Sequence, residues 1–485
     1  MTPEHTEAAR KGPLEKKVRD QVRKIVGKEN CSDRREDLFL FAYDGMNRRY
    51  LPDMVVHPKD AQQISAIVKL ANQEGFTVVP RGAGSGLSGG SLAIDGGLVL
   101  TVQNMRRILE IDEESMTAWV EPGVLNVELQ EAAEEKGLFF PPDPASMNYS
   151  TIGGNAAENA GGPRAVKYGV TGEYVMALEV VLPTGEIIHT GSAAIKSVTG
   201  YDLTSLMVGS EGTLGFITKL LVRLLPIPET IRTLLVAFPD LHMASKAVAR
   251  LMASRVVPST LEFMDREAVD CVRDYLDMKI PDDTSALLLV EVDGSAAVVD
   301  MEADVLERVC REIGARMILR AGTPEERDSM WTARRSISPA IMKIRRMKIN
   351  EDVSVPRMKI PDLIDGIEGI ARKREVKIVN FGHAGDGNVH VNVLVDPDDA
   401  GEMERGDEAV KDIFKLVVSL QGSLSGEHGI GISKAPFLGL ELTPQSQEVM
   451  RRIKRALDPN NIFNPHKSFD FDPASARREI PRSYE

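Results

Sequence analysis

Three histidines and one glutamate fall in two short C-terminal motifs whose residue types could hold a metal ion and move a proton. The first runs Phe381-Gly382-His383-Ala384-Gly385-Asp386-Gly387-Asn388-Val389-His390, and the second Ser425-Gly426-Glu427-His428-Gly429. Two imidazoles and a carboxylate make a three-ligand divalent site with open positions, as catalytic zinc or iron sites require. A chelating 2-hydroxy carboxylate would fill those positions, and the cation would lower the pKa of its hydroxyl. His428, next to Glu427, would then serve as general base. The alternative is a hairpin stabilised by hydrogen-bonded histidines, and the residues alone do not choose between the two.

The motif needs a scaffold. An apolar strand at Val376–Val379 precedes it and an alternating strand at Val391–Val395 follows. Asp386-Gly387 is a hairpin turn signal, so His383 and His390 should come to comparable depth on paired strands. The second motif follows a helix expected from about Glu408 to Leu416.

A different chemistry is written in the N-terminal half. The strand Phe76–Val79 feeds directly into Pro80-Arg81-Gly82-Ala83-Gly84-Ser85-Gly86-Leu87-Ser88-Gly89-Gly90, with Gly96 and Gly97 close behind. Glycine this dense lets the backbone turn tightly and aim successive N–H groups at one point, as phosphate-binding nests do. Ser85 and Ser88 could add hydroxyl donors. The spacing is neither the dinucleotide GxGxxG nor a P-loop. A second cluster, Pro142-Asp143-Pro144 with Thr151-Ile152-Gly153-Gly154-Asn155-Ala156-Ala157-Glu158-Asn159-Ala160-Gly161-Gly162, and a third, Gly209-Ser210-Glu211-Gly212-Thr213-Leu214-Gly215, lie in the same half. Their convergence would suit a large phosphate-bearing cofactor; tight turns without a ligand are the alternative.

Around these motifs the chain alternates helix and strand. Leu14, Val18, Val22 and Ile25 mark one face of an N-terminal helix stopping at Gly27. Asp60 should start a helix that ends at Gly75. Val175–Leu182 and Glu186–Thr190 read as a hairpin about Pro183-Thr184-Gly185. Pro226 and Pro228 mark a boundary. Beyond it, strands at Thr233–Phe238, Ala286–Val292 and Arg316–Arg320 alternate with helices near Met243–Met252 and Ala297–Ile313, in the order of an α+β domain. The expected organisation is an N-terminal arm (1–47), a cofactor domain (48–228), an α+β cap or substrate domain (229–425) and a C-terminal segment (426–485) returning to the cofactor domain.

Composition sets limits. The chain has 485 residues, enough for two or three domains, and 42% hydrophobic with 27% charged residues is a globular balance. A net charge of -13 opposes polyanions, so nucleic acid is not an expected partner. Cys31, Cys271 and Cys310 are scattered, against both a disulfide framework and an iron–sulfur cluster carried by this chain. No apolar run approaches the ~20 residues that span a bilayer, and Met1–Lys16 lacks the apolar core of a secretory signal. The expected location is cytoplasmic, with a membrane reached only through a partner.

The run PRGAGSGLSGG, together with IGGNAAENAGG and GSEGTLG, resembles the FAD-binding domain of the vanillyl-alcohol oxidase/p-cresol methylhydroxylase (PCMH) superfamily. The GlcD-type glycolate oxidase and D-lactate dehydrogenase branch is the nearest, and the resemblance runs from Tyr43-Asp44 to Asn464-Pro465. It implies an α+β chain with a PCMH-type FAD-binding domain and a C-terminal α+β cap. Arg81, Gly82, Ala83, Gly84, Ser85, Gly86, Ser88, Gly89 and Gly90 would wrap the FAD pyrophosphate. Pro142, Asp143, Thr151, Gly153, Gly154, Asn155, Ala160, Gly161 and Gly162 would line the ribityl chain and ring. Glu211, Gly212 and Ile217 would sit on the adenine side. Members that attach flavin covalently often place a histidine where this chain has Gly84, so the FAD should be non-covalent. The matching HxGDGNxH and GEHG motifs imply His383, His390 and Glu427 as ligands of one divalent metal (zinc, iron or manganese) and His428 as base.

Trp331-Thr332-Ala333-Arg334-Arg335 resembles the family's W..R segment, which makes Arg334 the candidate clamp for a substrate carboxylate, with Ser338 assisting. Lys348, close to Asp352-Val353-Ser354-Val355-Pro356, is a weaker candidate for the same role, and the run Lys343 to Lys348 reads first as a solvated basic face. Asn464 and Lys467 belong to a closing motif that would reach the flavin, although the family usually has glycine where His466 stands.

The implied reaction is oxidation of D-lactate or glycolate: His428 takes the hydroxyl proton and hydride passes from Cα to flavin N5. Electrons would then leave to an electron-transferring flavoprotein, an iron–sulfur subunit or a quinone, and a homodimer is compatible with this. Two other readings stand beside it. A flavoenzyme of the superfamily acting on another alcohol would not need His383, His390 and Glu427 together, and a non-catalytic electron-relay subunit would lack the histidine motifs.

Overall fold

A computed structural model describes residues 13–46, 48–273 and 279–470. They form two compact units. One gathers the described residues up to Ala160, those of Val170–Ile227 and those from Glu427 onward; the other gathers Gly161–Gly169 and Pro228–Gly426. Gly161 and Gly162, expected with the cofactor-binding stretch, are therefore counted with the second unit.

In the first unit, β1 (Cys31–Ser32), β2 (Met54–Val56), β3 (Val78–Arg81) and β4 (Leu98–Thr101) form a sheet in the order β1-β2-β4-β3. The neighbours β2, β4 and β3 run parallel. Parallel strands are covered on both faces, which is why MVV and LVLT are apolar without alternation and buried throughout. The helix Ala61–Glu74 begins where the Asp60 carboxylate accepts the Gln63 N–H at 2.8 Å, and it ends at left-handed Gly75 (φ 68°). The N-terminal helix Lys16–Val26 buries Val18, Val22 and Val26 against Ile64 and Ile67 of that helix's core. Val26, rather than the expected Ile25, completes its buried stripe, and Ile25 packs at the margin.

A second, antiparallel sheet uses β5 (Ile108–Asp112) and β6 (Thr117–Val120); β7 (Leu138–Phe139) lies outside it. The sheet continues with β8 (Val175–Val181), β9 (Ile187–Gly191) and β10 (Phe216–Arg223), in the order β5-β6-β10-β8-β9, and β7 pairs with β11 (Leu225–Pro226). The expected hairpin forms between β8 and β9. The C-terminal segment contributes Ile462 and Phe463 to the core of this unit, and Phe463 bridges to Val78 beside β3.

The second unit is built on seven strands: β12 (Thr230–Phe238), β13 (Thr260–Asp265), β14 (Ala286–Gly294), β15 (Met317–Arg320), β16 (Met347–Ser354), β17 (Lys377–His383) and β18 (Asn388–Val395). Every pairing is antiparallel, in the order β15-β12-β14-β13-β17-β18-β16. Strand register assigns the faces. Residues directly opposite share a side, so Leu235, Leu289, Glu262, His383, Asn388 and Ser354 lie on one face, with Phe381, His390 and Asp352 two residues along their strands. The apolar part of this face packs under the helix Pro324–Ile341 through Met330, Trp331, Ala333 and Ile337. No helix among the described residues is long and apolar enough to cross a membrane.

Candidate functional site

The β17–β18 hairpin places the two motif histidines on one face of the sheet, and both are buried. A four-residue connection joins the strands, with Gly387 in the positive-φ conformation its turn requires (φ 90°). The two side chains meet: His383 Nε2 and His390 Nε2 lie 3.3 Å apart, with the rings nearly perpendicular at 86°. Two nitrogens bonded to one zinc ion at 2.0–2.1 Å in tetrahedral geometry are separated by about 3.3 Å. The pair therefore fits shared ligation of a cation.

Behind each histidine stands a carboxylate that the sequence reading did not single out. Glu262, fully buried on β13 and directly opposite His383, brings Oε1 to 2.5 Å from His383 Nδ1. Its Oε2 accepts from Arg334 Nε at 2.8 Å and pairs with Arg334 Nη2 at 2.6 Å. Burial works to raise the Glu262 pKa, but His383 and Arg334 more than offset it and hold the group below the ordinary carboxylate range. Asp352, opposite His390 on β16, lies 3.8 Å from His390 Nδ1. It accepts Asn388 Nδ2 at 2.5 Å, Ser425 Oγ at 3.2 Å and the backbone N–H of Gly426 at 2.9 Å. A carboxylate in a buried strand is rarely left without a partner. The glutamate in Thr260-Leu261-Glu262-Phe263-Met264 was thus the available signal.

Arg334 is where the helix Pro324–Ile341 meets this cluster, its guanidinium also over the Phe381 ring at 4.6 Å. Its Nε–Nη2 edge faces Glu262, so the bidentate clamp expected of it is already engaged by a residue of the chain. Lys348 departs from its expected solvated face. It is half-buried on β16, on the same side as Asp352, and its Nζ donates to Ser338 Oγ at 2.6 Å; burial lowers its pKa. Ser338 follows Arg334 by four residues, about 6 Å along the helix axis. The helix thus carries Arg334 and, about a turn on, the hydroxyl that accepts from Lys348 of β16. Glu427 and His428 continue the chain directly from Gly426 and are counted with the first unit.

In the first unit the three small-residue stretches converge. A Cβ on Gly82 would meet Thr151 Oγ1 at 2.6 Å, and one on Gly90 would meet Glu158 Oε1 at 3.0 Å and Glu211 Oε2 at 3.3 Å. Thr151 caps the short helix Ile152–Glu158, accepting the Gly154 N–H, so IGGNAAE is helical, an element not expected from the sequence. Backbone bonds from Gly209 and Glu211 to Ala156 and Ala157, both 2.9 Å, join the third stretch to the second. Asn464 Nδ2 ties in the first by donating to Gly90 O at 2.8 Å and Glu211 O at 2.7 Å. Lys467 Nζ donates to Gly90 O and Leu92 O, both at 2.6 Å, and burial pushes its pKa down to about 7. His466 takes a positive φ of 57°, a backbone conformation that favours glycine.

Ala83 lies exposed on this loop, Ser85, Gly86 and Asp143 are half-buried, and Pro142 and Ile217 are buried. Ser88 Oγ, Asn155 Nδ2 and Glu158 Oε2 are buried with no hydrogen-bond partner among the described residues. Buried polar atoms normally find partners, so this cradle fits a polar ligand such as a dinucleotide cofactor. The Glu211 carboxylate accepts the N–H groups of Ile430 (2.9 Å) and Gly431 (2.7 Å), which anchors the loop that follows His428.

Comparison with known proteins identifies the family. Residues 52–191 match the family model described as FAD binding domain, and residues 227–468 the one described as FAD linked oxidases, C-terminal domain. The glycolate oxidase subunit GlcD of Bacillus subtilis (strain 168) is 42% identical over 468 residues, covering 96% of this chain and 99% of that protein. GlcD of Escherichia coli (strain K12) is 35% identical, covering 89% and 87%. The D-lactate dehydrogenase of Anaerostipes hadrus is also 35% identical, covering 86% and 89%. Among solved structures, p-cresol methylhydroxylase with substrate bound has a TM-score of 0.78 at 19% identity, covering 94% of this chain and 98% of that one, a likeness of fold.

Proposed function

The chain belongs to the FAD-linked oxidases, in the branch of GlcD-type glycolate oxidase subunits and D-lactate dehydrogenases, and from that membership we propose that it oxidises D-lactate or glycolate to the 2-oxo acid. It is a flavoprotein oxidoreductase of small hydroxy acids; the choice of acid, the metal and the acceptor are the proposal. When bound, FAD supplies the acceptor for the Cα hydride and a divalent cation (zinc, iron or manganese) supplies the Lewis acid that acidifies the substrate hydroxyl.

The chain's own groups do the rest. His383 and His390 present their Nε2 atoms, and Glu427 adds the third ligand; it follows Gly426, whose N–H rests on Asp352 beside His390. His428 takes the hydroxyl proton. Arg334, whose Nε–Nη2 edge stays on Glu262, lends the substrate carboxylate its charge rather than a bidentate clamp, and Lys348 adds a second cation; together they fix the acid with its Cα–H toward the acceptor. Arg81–Gly90, Thr151–Asn155 and Asn464 cradle the non-covalent FAD. Electrons leave to an electron-transferring flavoprotein, an iron–sulfur subunit or a quinone, because the scattered Cys31, Cys271 and Cys310 offer no cluster site.

The observation that carries this reading is the 3.3 Å approach of two buried Nε2 atoms, each ring backed by a carboxylate. Anaerobic mixing of the holoenzyme with glycolate, D-lactate, L-lactate and D-2-hydroxyglutarate tests it. Flavin bleaching with glycolate or D-lactate, faster than with L-lactate, is expected. No bleaching by any of the four would refute the proposal.

A further inference from the structure

Glu262 does more than balance a buried arginine. We propose that it is the positioning residue that keeps the proton of His383 on Nδ1, so that the Nε2 lone pair points at the cation, with Arg334 holding Glu262 in that pose. The inference rests on the metal reading above and names a residue outside the ligand set.

The geometry is specific. Glu262 and His383 are direct cross-strand partners, and their contact is 2.5 Å, within hydrogen-bond range. Oε1 serves the imidazole while Oε2 serves Arg334, so each oxygen has its own donor. Oε2 already accepts the Nε–Nη2 edge of Arg334, the arrangement of a carboxylate, and a carboxylate can only accept. His383 Nδ1 must therefore be the donor. In a neutral imidazole that leaves Nε2 unprotonated, facing His390 Nε2. Carboxylates behind metal-bound histidines fix ring orientation and raise ligand basicity in this way. Asp352 does not duplicate the role for His390 with a contact of the same kind, because 3.8 Å exceeds a hydrogen bond and its oxygens receive Asn388, Ser425 and Gly426.

Met264 on the same strand face and Leu289, opposite Glu262, belong to the apolar core of the sheet and require no charge. The glutamate answers its two donors, Arg334 and His383, rather than the packing around it.

The test is zinc titration of chelator-treated, FAD-loaded protein against a competing indicator, for wild type, Glu262→Gln, Glu262→Asp and Glu291→Gln. Glu291 is a matched control: it is buried on the same sheet face and bonded to Thr233, Arg327 and Trp331, away from the histidines. Glu262→Gln should weaken zinc binding about 10–100-fold, and Glu262→Asp, which keeps the charge, should recover part of it. Glu291→Gln should bind as wild type does. Nitrogen-15 spectra of the wild-type imidazoles, with His383 assigned by its absence in His383→Asn, should show Nδ1 protonated and Nε2 bare; this readout does not depend on any Glu262 variant folding.

Wild-type affinity in Glu262→Gln, or the opposite His383 tautomer, would overturn the proposal. A wild type that takes up no zinc would instead remove the metal reading on which it rests.

Discussion

Gly426→Ala is a small change with a large expected consequence. The Gly426 N–H donates to Asp352 at 2.9 Å, which draws its Cα against the Asn388–Asp352 pair. A Cβ built there lies 2.8 Å from Asn388 Cγ and 3.1 Å from Asp352 Oδ1, and it collides with Asn388 Nδ2. Either Asn388 leaves Asp352, forfeiting a charge-assisted hydrogen bond of about 1.5–3 kcal/mol, or the segment carrying Glu427 shifts. A displacement of ~1 Å in a reacting constellation costs about 100-fold in rate. Anaerobic stopped-flow bleaching of the flavin by D-lactate or glycolate reads that loss, with flavin content as the control for folding. The expected variant keeps one FAD per chain and reduces it about 100-fold more slowly. Reduction within about threefold of wild type, under ~1 kcal/mol in barrier, would refute the reasoning.

Other outcomes follow from single contacts. Asp265 caps the helix Arg266–Val272 through the Ala268 N–H and accepts two donors from Asn380, while burial moves its pKa from 3.8 to about 7. The unfolded carboxyl then ionises first, so this group's contribution to stability falls as pH rises from about 4 to about 7. Urea unfolding should show the advantage of wild type over Asp265→Asn shrinking across that range; an advantage that widened would contradict it. Gly84 offers no side chain for a covalent flavin link in the first glycine loop, so acid precipitation should leave FAD in the supernatant. A yellow pellet would disprove non-covalent binding.

The readable parts were those where local chemistry dictates backbone geometry. The glycine run after β3 and the Asp386-Gly387 turn could be assigned because only a few residue types take such conformations. Asp60 and Gly75 marked their helix ends for the same reason. What escaped notice was set by register between distant strands. Glu262 reaches His383 across 121 positions, and only the β13–β17 pairing brings them together. Lys348 looked solvated because it sits in a basic run, yet strand pairing places it on the inner face. The helix Ile152–Glu158 was missed because Gly153 and Gly154 weaken a helical signal, and the Thr151 cap together with the close approach to Pro122 outweighs that here. Gly161 and Gly162 continue a glycine motif in sequence but are counted with the other unit, a division no local pattern encodes.

Stripping the divalent metal while retaining FAD, then mixing anaerobically with D-lactate or glycolate, tests the central claim most directly. Bleaching should disappear with the metal and return on adding one equivalent of zinc, manganese or ferrous iron. Metal-free protein that still reduced its flavin at the full rate would contradict it.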